Sequence, residues 1–328
     1  MKAVVCKTYG PPESLVYEEV PSKRPGKGQV VISVRAAGVN FPDTLLIAGK
    51  YQLKPPMPFS PGIEVAGVVK ELGAGVDSVQ IGDRVIGLPD QGGFAQEVLV
   101  DAARLFSMPQ GMEFPIASAF VATYGTAYYA LKDRGQLRPG ETLLVLGAAG
   151  GAGLCTVEIG KILGARVIAA ASSEEKLAVC KQQGADELIN YATQDLRERV
   201  KDLTGGNGVD VVYDPVGGNY SEVALRTIAW GGHFLVIGFT TGDIARIPLN
   251  LPLLKGCSIV GIFFWASLTL HEPTLHQENV RELLSWYMTG KIKPHIGATY
   301  PLHRAADALN ELLNRQAKGK LVLLVEEG

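Results

Sequence analysis

The sequence lacks the cysteine and histidine patterns that build disulfide frameworks or zinc sites. Its four cysteines lie far apart and form no C-x-x-C pair, and its five histidines show no H-E-x-x-H spacing. The G-x-S-x-G motif of esterases is also missing, so no serine nucleophile is indicated. We therefore expect reduced, mostly buried thiols, structural or surface histidines, and no bound metal.

Excess charge and long hydrophobic runs are scarce as well. Lysine and arginine number 31 against 33 aspartate and glutamate residues, a net charge of −2. A nearly neutral chain has no field that would attract nucleic acid or an anionic membrane. The longest uncharged stretch, residues 114–131, has 18 residues interrupted by proline and glycine, and the first residues form no signal-peptide pattern. We expect a cytoplasmic protein without a membrane span.

Glycine and proline are abundant instead, and their distribution divides the chain. Of 328 residues 39 are glycine, and twelve of the 19 prolines fall in the first 120 residues, among short β-branched runs. This region predicts an irregular, mostly β domain. From about Glu141, apolar strands alternate with helical segments, which is typical of βαβ units in a parallel sheet. Length and this change of pattern predict two domains.

The second region contains six candidate strands, the number expected for a doubly wound Rossmann sheet. They cover residues 142–146, 166–170, 188–190, 209–213, 233–237 and 258–263. Beyond them, amphipathic helices at 279–289 and 304–314 precede a closing strand at 321–325. We expect this C-terminal tail to return to the first domain.

A glycine-rich turn follows the first of these strands and opens a helix. Its core, Ala148-x-Gly150-x-x-Gly153, is a variant dinucleotide fingerprint with alanine at the first glycine position. Small residues let the backbone approach a pyrophosphate, which the helix N-terminus attracts. The candidate pyrophosphate-binding residues are Ala149, Gly150, Gly151, Ala152 and Gly153. The alternative is a tight turn that only packs the helix onto its strand.

The end of the second strand predicts which dinucleotide binds. An NAD site places a carboxylate about 20 residues beyond the fingerprint. Here Ser172 and Ser173 stand, with Lys176 one turn later. Hydroxyls and an ammonium suit a 2′-phosphate, so NADPH is favoured over NADH. Alternatively, Ser173 is an ordinary helix N-cap, and both interpretations can hold because the two serines need not share a role.

With these motifs in place, the chain resembles the zinc-free quinone oxidoreductase branch of the medium-chain dehydrogenase/reductase superfamily. The resemblance covers essentially the whole chain and includes residues 38–43, 61–67, 126–128, 147–153 and 319–323. Zinc-containing relatives have a cysteine near Asn40, Gly-His-Glu where this chain has Gly62-Ile63-Glu64, and a four-cysteine loop. This sequence has none of the three.

The resemblance implies an α/β architecture of two domains. A GroES-like β domain would comprise residues 1–122 and 265–328, with a Rossmann domain, residues 123–264, inserted between them. Substrate would bind in the cleft. The resemblance also implies a homodimer along the last Rossmann strand, since an open apolar sheet edge otherwise invites aggregation.

The same resemblance assigns roles to individual residues. Asn40 and Thr123 would approach the nicotinamide and its ribose, while Ser172, Lys176 and Tyr191 would surround the adenosine 2′-phosphate. The cofactor site would be completed by Gly238, Phe239, Phe264 and Lys320.

Two residues are candidates for a catalytic role. Without zinc, a nicotinamide hydride suits a carbon conjugated with a carbonyl, whose enolate must be stabilised or protonated. Tyr51 resembles the tyrosine proton donor of enoyl-thioester reductases in the superfamily, although it could equally be a cleft-wall aromatic. Asn40 could orient the nicotinamide or a substrate carbonyl, and Asp43 is expected to brace the loop.

Three functions remain open at this point. The first is an NADPH-dependent quinone oxidoreductase acting on a small-molecule quinone or enone. The second is an enoyl-thioester or enone reductase, for which a basic patch that binds the CoA diphosphate is needed, with Lys50 and Lys54 as candidates. The third is a non-catalytic, NADPH-binding regulatory or RNA-associated protein, which the net charge disfavours.

Overall fold

The computed structural model describes residues 1–326, apart from the side chains of residues 268 and 269. Its strands are β1 Lys2–Val5, β2 Val16–Glu19, β3 Gln29–Val39, β4 Val65–Leu72, β5 Arg84–Gly87, β6 Glu97–Asp101, β7 Leu105–Ser107, β8 Thr142–Leu146, β9 Arg166–Ala171, β10 Glu187–Asn190, β11 Val209–Asp214, β12 Ile228–Val236, β13 Ser258–Gly261, β14 Ile296–Pro301 and β15 Lys320–Leu324. Its α-helices are α1 Phe41–Ile47, α2 Phe114–Ala117, α3 Val121–Tyr128, α4 Gly151–Ile162, α5 Glu174–Gln182, α6 Leu196–Leu203, α7 Asn219–Arg226, α8 Asn250–Lys255, α9 Phe264–Ala266, α10 Pro273–Met288 and α11 Ala305–Leu313. Two π-helical segments, Tyr129–Arg134 and Ser267–His271, follow α3 and α9.

The described chain divides into two units. The first unit comprises Met1–Ala122 and the residues from 296 onward, and the second comprises Thr123–His295. The GroES-like plus Rossmann fold class predicted from the sequence is confirmed.

The first unit is built on a mostly antiparallel sheet. Its strands follow the order β14-β15-β3-β4-β5-β7, with β6 also paired to β3, while β1 and β2 form a separate hairpin. The long strand β3 pairs with β15, β4 and β6. Its apolar residues are buried along most of its length. The C-terminal strand β15 pairs antiparallel with β3, which sets Leu321 opposite Val39.

The second unit is a parallel six-stranded sheet. The strand order β10-β9-β8-β11-β12-β13 is that of a Rossmann fold. The near-continuous apolar runs of the central strands agree with it, since parallel strands covered by helices are buried on both faces. Leu144, Ile168 and Val212 are all 0% exposed in its core.

The C-terminal tail differs from the expectation that residues 265–328 return together to the first unit. Residues 265–295 belong to the second unit, and only the part from 296 onward joins the first. The reason is polar pairing along α10: Asn279 Nδ2 donates to Asp133 Oδ2 at 2.6 Å, and Tyr128 donates its hydroxyl to Glu282 at 2.6 Å. An amphipathic pattern marks α10 as a helix but does not reveal its partner.

Among the described residues, no helix is both long and apolar enough to cross a membrane.

Candidate functional site

The glycine-rich turn at residues 147–153 connects β8 to α4. Gly147 has a φ of +57°, a left-handed conformation that glycine adopts without strain. A Cβ on Gly153 would lie 2.4 Å from the Gly147 carbonyl oxygen, so this glycine lets α4 pack closely on the turn. A Cβ on Gly150 would approach no atom closer than 3.4 Å. Alanine is tolerated at Ala148 because Gly147 supplies the sharp turn one residue earlier.

The N-terminus of α4 can bind an anion at this turn. Gly150 is the N-cap residue, and no side chain caps the helix there. The N–H groups of a first helical turn have no partner within the helix, so those of Gly151, Ala152 and Gly153 can donate to an anion. Ala149 is 2% exposed and supports the turn from inside.

The turn lies where the strand order of the sheet reverses. β8 stands between β9, which follows it in sequence, and β11, to which the chain returns. The Val216 side chain, from the loop after β11, lies 2.9 Å from where a Cβ on Gly147 would be. Open parallel sheets bind ligands in the crevice at this position.

Asp214 holds the loop after β11, on the second side of this crevice. Its 2%-exposed carboxylate accepts the N–H groups of Val216 at 2.8 Å and Gly217 at 3.0 Å. Burial raises the pKa of Asp214, against the effect of these hydrogen bonds. Gly238 donates its N–H to the Asp214 carbonyl oxygen at 3.4 Å, and Phe239 packs over Gly217. The loop therefore positions two predicted cofactor-site residues.

The residues predicted to bind the 2′-phosphate lie together at the ends of β9 and β10. Tyr191 donates its N–H to the Ala171 carbonyl oxygen at 3.1 Å. Ser173 caps α5 by accepting the Lys176 N–H at 3.3 Å, whereas Lys176 Nζ donates to Ser172 Oγ at 3.2 Å. Ser173 is thus a helix cap, while Ser172 and Lys176 pair with each other on the exposed side.

Asn190 is a neighbour of this group that sequence reasoning missed. It is 6% exposed, and its Nδ2 donates to Glu174 Oε1 at 2.7 Å. The bond holds the nearest carboxylate of α5 on the β10 side. An asparagine ending a predicted strand gives no signal for this role, because the pairing spans 16 residues of sequence.

Phe264 and Thr123 are largely buried within the second unit. Phe264 is 6% exposed, and its ring carbon Cζ lies 2.6 Å from where a Cβ on Gly125 would be. The Phe264 ring also contacts that of His276, whose centroid lies 4.9 Å away in an edge-on arrangement. Thr123, 6% exposed, lies on α3 with Gly125.

His276 is a buried imidazole without a hydrogen bond. Its residue exposure is 0%, and both ring nitrogens lack a hydrogen-bond partner within residues 1–326. Burial lowers its pKa to about 4, although the nearby Glu272 carboxylate opposes the shift. The imidazole is therefore neutral near pH 7 and packs between aromatic rings.

In the first unit, Asn40, Glu64 and Lys320 form a buried cluster. Lys320 Nζ lies 2.6 Å from Asn40 Oδ1 and 3.3 Å from Glu64 Oε2. Asn40 Nδ2 lies 3.4 Å from the same Glu64 oxygen. Burial raises the pKa of Glu64, while the Lys320 ammonium lowers it. The sequence indicated Asn40 and Lys320 but gave no role to Glu64.

Asp43 braces the loop before α1, as expected. Its carboxylate accepts the N–H of Asn40 at 2.8 Å and that of Gly62 at 3.1 Å. The residue is 0% exposed, and this burial raises the pKa of Asp43 to about 7 against the effect of both hydrogen bonds.

Tyr51 is half-buried and packs against the apolar core of the first unit. Burial, and to a smaller extent the Asp43 charge, raises the pKa of Tyr51 above its usual value. The phenol therefore stays protonated through the neutral range. Lys50 and Lys54 are exposed.

The part of the chain that the structure describes contains no set of side chains that could bind a metal ion. There, no group of three or more histidine, cysteine, aspartate or glutamate residues could hold a metal ion.

Two protein families match the chain. Residues 26–110 match the alcohol dehydrogenase GroES-like domain, and residues 151–286 match the family described as zinc-binding dehydrogenase. These ranges fall in the first and second units respectively.

Individual proteins are similar over nearly the full chain. A quinone oxidoreductase-like protein 2 homolog from Nematostella vectensis is 39% identical, covering 98% of this chain and 88% of that protein. A quinone oxidoreductase from Rattus norvegicus is 33% identical over 99% of this chain and 98% of its own length. The crystal structure of Escherichia coli quinone oxidoreductase complexed with NADPH is 30% identical, with a TM-score of 0.93, covering 99% of this chain and 100% of that one.

Proposed function

Because this chain belongs to the quinone oxidoreductase branch of the medium-chain dehydrogenase/reductase superfamily, we propose that it is an NADPH-dependent, zinc-independent quinone oxidoreductase. It would transfer hydride to a quinone or to another conjugated carbonyl acceptor. The observation that carries the proposal is the uncapped N-terminus of α4 at the crevice where the strand order reverses.

The residues of the second unit fit NADPH. The N–H groups of Gly151, Ala152 and Gly153 suit the pyrophosphate. Ser172 and Lys176, 3.2 Å apart, offer a hydroxyl and an ammonium to the 2′-phosphate. The carboxylate of Glu174, which would repel that phosphate, is hydrogen-bonded by Asn190. A complex of the E. coli quinone oxidoreductase with NADPH supports the assignment.

When bound, NADPH supplies the hydride. The protein's own part is to hold the cofactor and to stabilise or protonate the reduced acceptor. Tyr51 is the candidate proton donor that the family resemblance implies, and its phenol is protonated near neutral pH. Asn40, at the start of α1, would hold the nicotinamide end.

The residues present do not fit a zinc ion, in spite of the name of the family matched at 151–286. Where the resemblance places cysteine and histidine ligands, this chain has Asn40 and Ile63. The Glu64 side chain already forms an ion pair with the Lys320 ammonium at 3.3 Å. We therefore assign no step to a metal.

A second candidate function is reduction of an enone or enoyl thioester, which Tyr51 favours. Such a reaction needs a proton at the carbon next to the carbonyl, whereas a quinone accepts protons on oxygen from water. Tyr51→Phe should thus lower kcat for crotonyl-CoA about 100-fold and leave quinone reduction within about threefold. Equal losses with both acceptors would assign Tyr51 to pocket shape.

The experiment that tests the proposal measures NADPH oxidation by purified, EDTA-treated protein. The acceptors compared are 1,4-benzoquinone, 9,10-phenanthrenequinone and crotonyl-CoA, each with NADPH and with NADH. We expect quinone turnover that survives chelation and prefers NADPH. Turnover with the thioester alone would favour the enoyl reductase, and loss of activity restored by zinc would refute the metal-free assignment. NADPH binding without turnover would favour a regulatory protein.

We also propose that the protein is a homodimer joined through β13. In residues 1–326, β13 pairs only with β12 and ends the sheet. Ile259 on β13 is 40% exposed. Trp230 on β12 and Leu253 on α8 are 80% and 77% exposed. Light scattering on the purified protein should give twice the monomer mass of 35.0 kDa. A monomer would refute this part of the proposal.

A further inference from the structure

The first unit contains a cavity of about 590 Å³ that shares no residue with the candidate site described above. Its lining includes residues 20–23, the loop at 89–92 and the whole of β6, residues 97–101. Ala3 and Val5 of β1, both buried, add apolar surface to it. The volume lies within the range of about 300 to 1,000 Å³ that is usual for ligand-binding pockets.

The edge of β6 that lies away from β3 is open. In the described part of the chain, β6 pairs only with β3. Ala102, the residue after β6, donates its N–H to the Gly28 carbonyl oxygen at 2.9 Å. Alternate residues of a paired strand direct their backbone groups to the same side, so the even-numbered residues of β6 face β3. The N–H and carbonyl groups of Glu97 and Leu99 therefore point away from β3, and within residues 1–326 no other protein group bonds to them.

The neighbouring segments leave this edge uncovered. β1 runs beside the residues that precede β6, and the Gln96 N–H donates to the Lys2 carbonyl oxygen at 2.9 Å. No backbone hydrogen bond joins β1 to the described residues of β6 beyond that point. Residues 20–23, which also line the cavity, form no strand, and Pro21 has no N–H to donate. The unpaired edge of β6 thus forms part of the cavity wall.

An unsatisfied side chain in the same wall indicates a ligand. Charged residues at a sheet edge often serve only to prevent aggregation, and Glu97 and Asp101 do stand at the two ends of β6. Such protection requires no cavity and no unsatisfied polar group. Gln91 lines the cavity, and its Oε1 is buried without a hydrogen-bond partner in the described residues. A buried acceptor without a donor is destabilising, and a ligand with N–H groups could satisfy it.

The open backbone groups determine the class of ligand. The N–H and carbonyl groups of a strand edge match the spacing of another extended backbone, which can add to the sheet as a further strand. A second copy of β6 does not fit, because antiparallel pairing about Leu99 would set Glu97 of one copy opposite Asp101 of the other. Like charges directly opposite each other are destabilising.

The charges at the two ends of β6 favour a basic partner. Glu97 pairs with Lys70 at 2.6 Å, whereas Asp101 is bonded by the neutral Gln29 amide at 3.2 Å. A lysine opposite Asp101 would supply the opposite charge, which stabilises a cross-strand pair. The half-buried Leu99 between the two acids suits an apolar residue opposite it.

We propose that this cavity binds an extended peptide segment of another protein, with an apolar residue flanked by basic residues, and that the segment adds to the sheet as an antiparallel strand beside β6. The central residue of the peptide would exchange two hydrogen bonds with Leu99. This docking role belongs to the first unit alone. It depends neither on NADPH nor on an acceptor, so its test is separate from that of the proposed function.

The first test titrates the protein with the peptide acetyl-Lys-Thr-Val-Thr-Lys-amide. In protein labelled with ¹⁵N-leucine, the amide signal of Leu99 is identified by its absence in Leu99→Ile. We expect this signal to shift with a dissociation constant below about 1 mM and to exchange more slowly with solvent when the peptide is bound. A Leu99 signal that does not change up to about 5 mM peptide would overturn the proposal.

Two matched peptides test the mode of binding. The first carries N-methylvaline at its centre, which removes the N–H that would donate to the Leu99 carbonyl oxygen, and should bind about tenfold more weakly. The second replaces both lysines by glutamates and should also bind more weakly. Equal affinity of the N-methylated peptide would refute strand addition. Equal affinity of the acidic peptide would refute the basic partner.

A charge reversal in the protein completes the experiment. Asp101→Lys, at an exposed position, should weaken binding of the basic peptide and strengthen binding of the acidic one. The control is Asp77→Lys, an exposed position outside the cavity, which should leave both affinities unchanged. Equal effects of the two variants would show a general charge attraction and overturn the proposal. A fall in the light-scattering mass on peptide binding would also overturn it, because a second copy would then occupy the edge.

Discussion

The two units carry candidate binding groups of different chemical kinds. The first unit uses buried charged and amide side chains, and Lys320 and Asn40 meet across 280 residues of sequence. The second unit uses backbone N–H groups, glycines, hydroxyl side chains and the Lys176 ammonium, all between residues 147 and 191. Removal of a charged side chain should therefore disrupt the buried cluster of the first unit. An added side-chain atom should disrupt the glycine-rich turn of the second unit.

The largest effect should follow from one added methyl group in the second unit. In Gly153→Ala the new Cβ would lie 2.4 Å from the Gly147 oxygen and 2.7 Å from Ala148 backbone atoms, which cannot move without distorting the turn. We expect the free energy of unfolding to fall by at least about 4 kcal/mol. Denaturant unfolding measures this change.

Gly150→Ala is the matched control for this prediction. Its Cβ would approach no atom closer than 3.4 Å, so the free energy of unfolding should stay within about 1 kcal/mol of the wild type. NADPH affinity should nevertheless fall, because the methyl group lies at the proposed pyrophosphate contact. Equal destabilisation by both variants would contradict the separate roles of the two glycines.

The next largest effect concerns the buried carboxyl of the first unit. The pKa of Asp43 is about 7 in the folded protein against an ordinary 3.8. The stability contributed by its neutral form is thus complete below about pH 4 and lost as pH rises to about 7. At about 1.4 kcal/mol per pKa unit, the loss is roughly 4 kcal/mol.

Asp43→Asn should remove this part of the pH dependence of unfolding. The residual slope of the same sign belongs to other buried carboxyls, among them Glu64 and Asp214, whose pKa values are also raised by burial. Asp77→Asn, at an exposed position of the same unit, is the control and should leave the slope unchanged. An unaltered slope in Asp43→Asn would show that this carboxyl is ionised throughout the range.

His276 in the second unit should respond to pH in the opposite direction to Asp43, with a smaller change in stability. The pKa of His276 falls from 6.5 to about 4 on folding. The stability of its neutral form is complete above about pH 6.5 and lost as pH falls toward 4. His276→Phe, which keeps an aromatic ring between Tyr129 and Phe264, should remove this acid-side loss in melting temperature. If the melting temperature of His276→Phe falls with acid as steeply as that of the wild type, His276 is not the cause of the acid-side loss.

The smallest effect tests the one ammonium in the second unit's proposed cofactor site. Lys176→Ala should weaken NADPH binding about tenfold, near 1.4 kcal/mol, and leave NADH binding unchanged. Lys181→Ala, on the same helix but bonded to the Asp186 carbonyl oxygen at 3.2 Å, is the control. An equal loss for NADH would remove Lys176 from the 2′-phosphate site.

In the second unit, the residues that the sequence predicts to bind the cofactor lie in local elements. A strand, a turn and the start of a helix place Gly150 and Gly153, and the next strand ends just before Ser172. Asn190 and Asp214 escaped notice because their partners are set by the packing of separate βα segments. Each forms a hydrogen bond with a loop or helix whose orientation the hydrophobic periodicity of the sequence does not predict.

The amino-acid sequence by itself determined the strand–helix rhythm, the fingerprint turn and the serine cap, because each depends on residues a few positions apart. Only the tertiary structure decided that residues 265–295 stay with the second unit and that Lys320 saturates its donors on Asn40, Val39 and Glu64. These outcomes depend on strand pairing and burial between residues distant in sequence, where the desolvation of a charge leaves few acceptable partners and spacing along the chain carries no information.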